Sequence, residues 1–266
     1  MPKRVDLYKN YVHFAASVLT TVRLETYGVD IGQNGWTTAE EYDRLVPLLN
    51  LRAGDRVLEV ARGSGGPARH LAQMTGCKVT GIDVSDVAVT AATQLAEAAG
   101  DSERVTFQLV DATGRLPFED DSFNGAICID AMNHMPNRLD ILREWCRVLR
   151  TGARALFTDP VVITGPVTND ELLTRSSIGL FVFIPPEVTE RYIEEAGFGL
   201  VERVDVTENA VLTSRRWCDA RASHRDELIA IEGEEHFEAL QAFFDVVHRL
   251  TSERRLSRIA FVIEKR

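Results

Sequence analysis

The spacing of apolar positions changes near residue 55. Upstream, Tyr11, Phe14, Val18, Leu19 and Val22 recur at intervals of three and four, which predicts a helix with one apolar stripe. The segment Tyr27 to Trp36 carries three glycines in ten residues and reads as a loop. Thr37 or Thr38 is placed to cap a helix whose second turn holds Glu40 and Glu41. Downstream, short apolar runs alternate with helical stretches. Strands are expected at Arg56 to Val60, Lys78 to Asp83, Val105 to Val110, Phe123 to Ile129 and Ala153 to Thr158. Helices are expected between them, at Gly65 to Thr75, Asp86 to Ala98 and about Leu139 to Leu149. A helix at Glu187 to Ala196 is entered from two prolines and left at Gly197. A strand at Leu200 to Val206, helices near Ser214 to Ala222 and Glu234 to Arg249, and a strand at Ile259 to Ile263 complete the chain. Strands this apolar, alternating with helices, predict an α/β fold with a mostly parallel sheet covered on both faces. One domain over 1–266 is expected, with a helical segment over 1–50, a core over 51–160, and insertions at 161–184 and 207–254 that form a cap.

Composition narrows the function. The 266 residues hold 30 Lys and Arg against 40 Asp and Glu, a net charge of −10. With no basic stripe, the chain lacks the phosphate-neutralising charge that nucleic-acid binding needs. A chain of this length buries about three quarters of its unfolded surface, so no disulfide or metal is needed to hold it. Cys77, Cys128, Cys146 and Cys218 are far apart and read as buried, reduced thiols. The longest apolar run, Ile178 to Pro186, is too short to span a membrane, and no apolar signal core follows the basic start. A cytoplasmic protein without membrane or nucleic-acid partners is expected.

The most informative stretch is Val57-Leu-Glu-Val-Ala-Arg-Gly-Ser-Gly-Gly-Pro-Ala68, a strand that runs through glycines into a helix. Such a loop lets a ligand approach the backbone and meet free N–H groups at the helix start. A dinucleotide is one reading, with Gly63-x-Gly65-x-x-Ala68 and Asp83 twenty residues past Gly63. Glu59 opposes it, because a carboxylate at that strand end repels a pyrophosphate. A hydrolase elbow at Ser64 lacks the first glycine of its motif. The third reading is S-adenosylmethionine, which carries an ammonium and a sulfonium and no phosphate. Glu59 then attracts the ligand, Asp83 takes the ribose hydroxyls, and Asp111-Ala112 receives the adenine amino group.

With these residues in place, the chain resembles the class I S-adenosylmethionine-dependent methyltransferases over about residues 30–200. The resemblance rests on Val57 to Ala68, Gly81-Ile-Asp83-Val-Ser85, Asp111-Ala112, Leu116-Pro-Phe118, and Glu144 through Arg147 to Gly152. It implies a Rossmann-like sheet of seven strands, the last antiparallel, and a cofactor-binding core over 51–160. Cofactor contacts are implied at Glu59, Ala61, Gly63, Gly65, Asp83, Val84, Asp111, Ala112 and Ile129. Ala61 and Arg62 stand where the family has glycine and a small residue, so weaker cofactor binding or a non-catalytic relative stays open.

Asp130-Ala-Met-Asn-His134 follows the fourth strand, where the family places its acceptor chemistry. His134 is a candidate base for an acceptor that carries a proton, or a loop residue. Asp130 and Asp159, if close, would raise its pKa. Asp130-Ala-x-x-His134 with Phe157-Thr-Asp159-Pro160 resembles the N-methyltransferases that act on phosphoethanolamine, sarcosine or dimethylglycine. In those enzymes the histidine works with an N-terminal tyrosine, and Tyr8 and Tyr11 lie in that region. The run Ile178 to Ile184, including Phe181, could instead line a lid over an apolar acceptor, leaving O- or C-methylation open. Tyr27 and Trp36 either close over the cofactor or staple the N-terminal helices to the sheet. No metal site is expected, since His224, His236 and His248 would point three ways from one helix. Arg215-Arg216 and Arg254-Arg255 are expected to pair with acids, one of them being a candidate for an acceptor carboxylate.

Overall fold

The computed structural model describes residues 16–61 and 63–266. The expectations for Tyr8, Tyr11, Phe14 and Arg62 lie outside the described residues. Seven strands form one sheet: β1 (Arg56–Val60), β2 (Lys78–Asp83), β3 (Val105–Leu109), β4 (Phe123–Cys128), β5 (Leu149–Ile163), β6 (Phe198–Asp205) and β7 (Leu256–Lys265). Their order is β3-β2-β1-β4-β5-β7-β6. The pairs from β3 through β5 are parallel, and β7 runs antiparallel between β5 and β6.

Alternation along the strands splits the core into two layers. Leu58, Phe157 and Phe261 face one side, under α5 (Arg138–Val148) and α7 (Val188–Glu195), whose Trp145 and Ile193 complete that layer. Val57, Leu156 and Val262 face the other. There they meet Tyr42 and Leu45 of α2 (Ala39–Leu45) and Leu71 of α3 (Gly66–Thr75). The helix α4 (Asp86–Ala98) lies beside β2 and β3.

A third apolar cluster lies apart from the sheet. Val22 of α1 (Ser17–Tyr27), Trp217 of α8 (Thr207–Ser223), Leu228 of α9 (Arg225–Glu232) and Phe243 of α10 (Glu234–Ser252) meet in it. The helix α1 thus packs with the late helices rather than on the sheet. Among the described residues, no helix is long and apolar enough to cross a membrane.

Several boundaries differ from the sequence reading, for identifiable reasons. β5 runs four residues earlier and five later than expected, through Asp159 and Pro160. Proline has no N–H for the ladder, and the register with β7 shifts between Asp159 and Val162. Residues 161–163 thus belong to the sheet rather than to the cap. β7 begins at Leu256, because the polar Arg258 interrupts the apolar run that defined it. α8 starts at Thr207 rather than Ser214, and α9 was not anticipated. α6 (Asn169–Arg175) was also missed; it is closed by a capping box between Thr168 and Glu171. Thr38, not Thr37, caps α2 by accepting from the Glu41 N–H, and Glu40 and Glu41 sit in its first turn. Cys77 and Cys128 are buried, but Cys146 and Cys218 are only half-buried. Burial pushes the Cys128 thiol up to about 12.

Arg258 is fully buried and joins three elements. Its Nε donates to Asp130 Oδ1 at 2.7 Å, while Nη1 and Nη2 donate to Glu41 and to the Thr37 hydroxyl. Burial raises the pKa of Glu41, and Arg258 opposes that shift. Removing the cation would strand two buried carboxylates. Arg258→Met should therefore cost about 3–5 kcal/mol, read as a lower urea midpoint with an unchanged slope.

Candidate active site

In an open α/β sheet, ligands bind at the carboxyl ends of strands where the order reverses. Here that point lies between β1 and β4. A crevice of about 900 Å³ opens there. Its walls bring together Glu59, Ala61, Gly63, Asp83, Val84, Asp111, Ala112, Ile129 and Asp130 from four strand ends. Gly65 is not a wall residue; with φ of +76° it turns the chain into α3. Asp83 is oriented by two backbone donors, Gly63 N–H at 2.9 Å and Ser85 N–H at 3.0 Å. Asp111 accepts from the Thr113 N–H and hydroxyl, which lower its pKa.

Glu59, Asp83, Asp111 and Asp130 make the crevice acidic, and among the described residues no lysine or arginine lines it. A phosphate-free cationic ligand suits this wall, whereas a pyrophosphate would be repelled. Ala61 sits at φ +54°, a conformation that favours glycine, so the strained position flagged by the sequence is real.

The loop from Tyr27 to Trp36 closes the crevice. A Cβ on Gly66 would lie 2.1 Å from the Ile31 carbonyl oxygen, so glycine there admits the loop. Ser64 also donates its hydroxyl to Gly32 O, which makes it a structural tether. Likewise a Cβ on Gly35 would meet Asp130 Oδ2 at 2.7 Å, and this close passage lets the Trp36 N–H donate to the same oxygen at 2.8 Å. Tyr27 is a staple and lines neither cavity: its hydroxyl donates to Gly35 O at 2.8 Å and accepts from Trp217 Nε1 at 3.3 Å.

Behind the crevice lies an inner chamber of about 100 Å³. Trp36, Phe181, Phe243, Phe244 and Trp217 supply aromatic walls, with Arg175 and Asn133 among the polar ones. Neither Arg175 nor Asn133 was singled out by the sequence pattern. The run Ile178 to Ile184 divides: Ile178 and Phe181 line the chamber, Leu180 lines the crevice, and Ile184 bridges to Val162. His134 lines both cavities. Its Nδ1–H donates to Leu180 O at 2.8 Å, which leaves the lone pair on Nε2. Burial lowers its pKa, and the charge of Arg175 adds to that.

This corrects the upward shift expected from Asp130 and Asp159. Asp159 is paired with Arg138. Asp130 is shared among Arg258, Thr158 and the Trp36 N–H. Two of the double arginines are also spent: Arg254 pairs with Asp205, and Arg255 with Glu171. Arg215 pairs with Asp219, and Arg216 donates to Thr26 O. Among the described residues no group of three His, Cys, Asp or Glu side chains is placed to hold a metal ion.

Residues 57–152 match the model of the methyltransferase domain family. The 27-O-demethylrifamycin SV methyltransferase of Amycolatopsis mediterranei is 32% identical over 202 residues, covering 75% of this chain and 72% of that protein. The chain belongs to the class I S-adenosylmethionine-dependent methyltransferases. The glycine/sarcosine/dimethylglycine N-methyltransferase of Actinopolyspora halophila is 26% identical over 253 residues, covering 87% of this chain. The chain spans only 44% of that relative's length. The phosphoethanolamine N-methyltransferase 2 of Haemonchus contortus, solved with S-adenosyl-L-methionine, superposes with a TM-score of 0.77 at 19% identity, covering 98% of this chain and 60% of that one. The methyltransferase has the α/β sheet that the resemblance implied, with the last strand antiparallel.

The strain at Ala61 is directly testable. Ala61→Gly should relieve about 1–2 kcal/mol of left-handed strain while loosening the unfolded chain, for a net gain of roughly 0.5–1 kcal/mol. Urea unfolding of the two proteins checks this, and calorimetry should show S-adenosylmethionine bound no more weakly by the variant.

Proposed function

We propose that this enzyme methylates a small-molecule acceptor seated in the inner chamber, with His134 Nε2 taking the proton of the accepting atom. One observation carries the reading: His134 is common to the acidic crevice and the aromatic chamber, so it stands at their seam.

The crevice residues fit the cofactor. Glu59 would face its ammonium, Asp83 its ribose hydroxyls, and Asp111-Ala112 with Val84 and Ile129 its adenine. When bound, S-adenosylmethionine supplies an electrophilic methyl carbon on a sulfonium. The chain's own work is then placement and proton removal. Trp36 and Phe181 hold the acceptor, and the loop hung on Asp130 excludes water. Positioning supplies much of the rate for an in-line displacement, and a base matters where the nucleophile carries a proton.

An amine nitrogen and a hydroxyl oxygen both meet that condition, and the relatives' names divide between them. The aromatic walls favour an acceptor with an apolar body. The four free thiols suit a reducing, cytoplasmic setting.

Two measurements test this. Glu59→Gln should weaken S-adenosylmethionine at least several-fold and leave NAD binding absent; tighter NAD binding by the variant would defeat the assignment. His134 has a lowered pKa, so it is neutral at pH 7 and loses competence only as pH falls. The methyl-transfer rate should hold steady from pH 8 downward and fall along an acid limb whose midpoint lies below the ordinary value of about 6.5. His134→Gln should remove that limb and about 100- to 10,000-fold of turnover while sparing cofactor affinity. Full turnover with the same profile would make His134 a loop residue.

A further inference from the structure

The inner chamber holds a cation that has no counter-charge among the described residues. Arg175 closes α6 and is only 1% exposed. Among the described residues, its Nε and Nη1 have no hydrogen-bond partner. Its guanidinium lies instead over ring faces, 4.6 Å from the centroid of Phe181, 5.2 Å from Phe243 and 5.7 Å from Trp36. Asn133, also 1% exposed, has both amide atoms without a partner. Both residues line the chamber.

The neighbouring charges do not compensate Arg175. Asp159 is bound to Arg138, and Asp130 to Arg258. The other two arginines of the chamber wall are already paired, Arg23 with Asp30 and Arg221 with Glu232. Among the described residues, one uncompensated positive charge therefore remains. Burial without an anion also drags the Arg175 pKa down to about 9. Meanwhile α6 itself is anchored elsewhere: Glu171 pairs with Arg255 at 2.7 Å and with Arg249 at 3.4 Å. Arg175 takes no part in that anchoring.

We propose that Arg175 and Asn133 form a recognition site for a carboxylate on the methyl acceptor, so that the substrate class is small monocarboxylic acids. The proposal deepens the methyl-transfer reading and rests on it. A carboxylate matches the planar guanidinium fork with two parallel N–H···O bonds, and the Asn133 amide can donate a further one. The rings exclude water and so strengthen that pairing. A cavity of about 100 Å³ takes a carboxylate with a few attached carbons. Its single surplus charge favours a monoanion over a phosphate dianion. His134, on the same wall, then faces the part of the acceptor that reaches the crevice.

The test uses propionate and its neutral isostere propionamide, titrated calorimetrically into the protein with and without S-adenosylhomocysteine. Propionate should bind the loaded wild type at least tenfold more tightly than propionamide. Arg175→Met should erase that difference while leaving S-adenosylhomocysteine affinity and the urea midpoint unchanged, and Arg175→Lys should keep part of it. Equal binding of the two probes by wild type would overturn the proposal. So would a preference that survives in Arg175→Met, or a marked fall in that variant's urea midpoint, which would make the arginine structural. Failure of S-adenosylhomocysteine to bind would instead count against the methyl-transfer reading, and the titrations without it would still decide the carboxylate site.

Discussion

The site depends on one buried ion cluster. Arg258 in β7 holds Asp130 at the end of β4 and Glu41 in α2, with Thr37 between them. Two carboxylates and one cation out of water are expensive to assemble, and such a cluster holds only if its remaining hydrogen bonds are made. Most of them are. The Thr158 hydroxyl accepts from the Asp130 N–H and donates to Asp130 Oδ1, each at 2.7 Å, and the Trp36 N–H takes the other oxygen. The cluster thereby links the C-terminal strand, the switch point of the sheet and the N-terminal loop. Asp130, at φ +54°, is the hinge of this arrangement. Without it the loop that closes the crevice would lose its anchor at the end of β4 and keep its tethers to Ser64 and Asn209.

Two cavities of opposite electrostatic character result. The crevice is walled by acids, and the chamber by aromatic rings and guanidinium groups. On the proposed assignment, that difference would help sort a sulfonium-bearing cofactor from an electron-rich acceptor before any specific contact is made. The sorting needs Asp130 to be neutralised from behind by Arg258, because it borders both spaces. The aromatic stack of Trp36, Phe243 and Phe244 belongs to the cap, so packing of the cap and shaping of the chamber are the same event.

The crevice was legible in the sequence because its signals are local. Glu59, Asp83 and Asp111 each close an apolar strand, and Gly63 and Gly65 follow the first, so a few residues of context place them at one end of the sheet. The acceptor side was not, because its determinants are distant or disguised. Arg258 meets Asp130 and Glu41 across 128 and 217 positions. Its charge also cut short the apolar run, so the sequence starts β7 at Ile259 rather than at Leu256. Arg175 ends a seven-residue helix with no apolar periodicity, inside a segment read only as a cap insertion. The one available signal was that this arginine stands three residues before the apolar run from Ile178 to Ile184. For Tyr27 the sequence left two readings, a ligand contact or a staple, and its hydroxyl, spent on the backbone of the glycine loop, makes it the staple.

The same charges decide how basic His134 is. Three influences act on it beyond its bond to Leu180: burial lowers its pKa, Arg175 lowers it further, and Asp130 raises it. Burial is the largest, and the pull of Asp130 is blunted because Arg258 already balances that carboxylate. The imidazole therefore stays neutral with Nε2 open. Arg175 makes it a weaker base than burial alone would. An anion on Arg175 would cancel that contribution, so a carboxylate-bearing acceptor would raise the basicity of His134 as it binds, and a neutral one would not. By linkage, the same coupling makes a bound acceptor favour the protonated imidazole that proton transfer creates. On the proposed roles, recognition and proton removal would share one electrostatic circuit, running from Arg175 through the acceptor to His134, with Asp130 held out of it by Arg258.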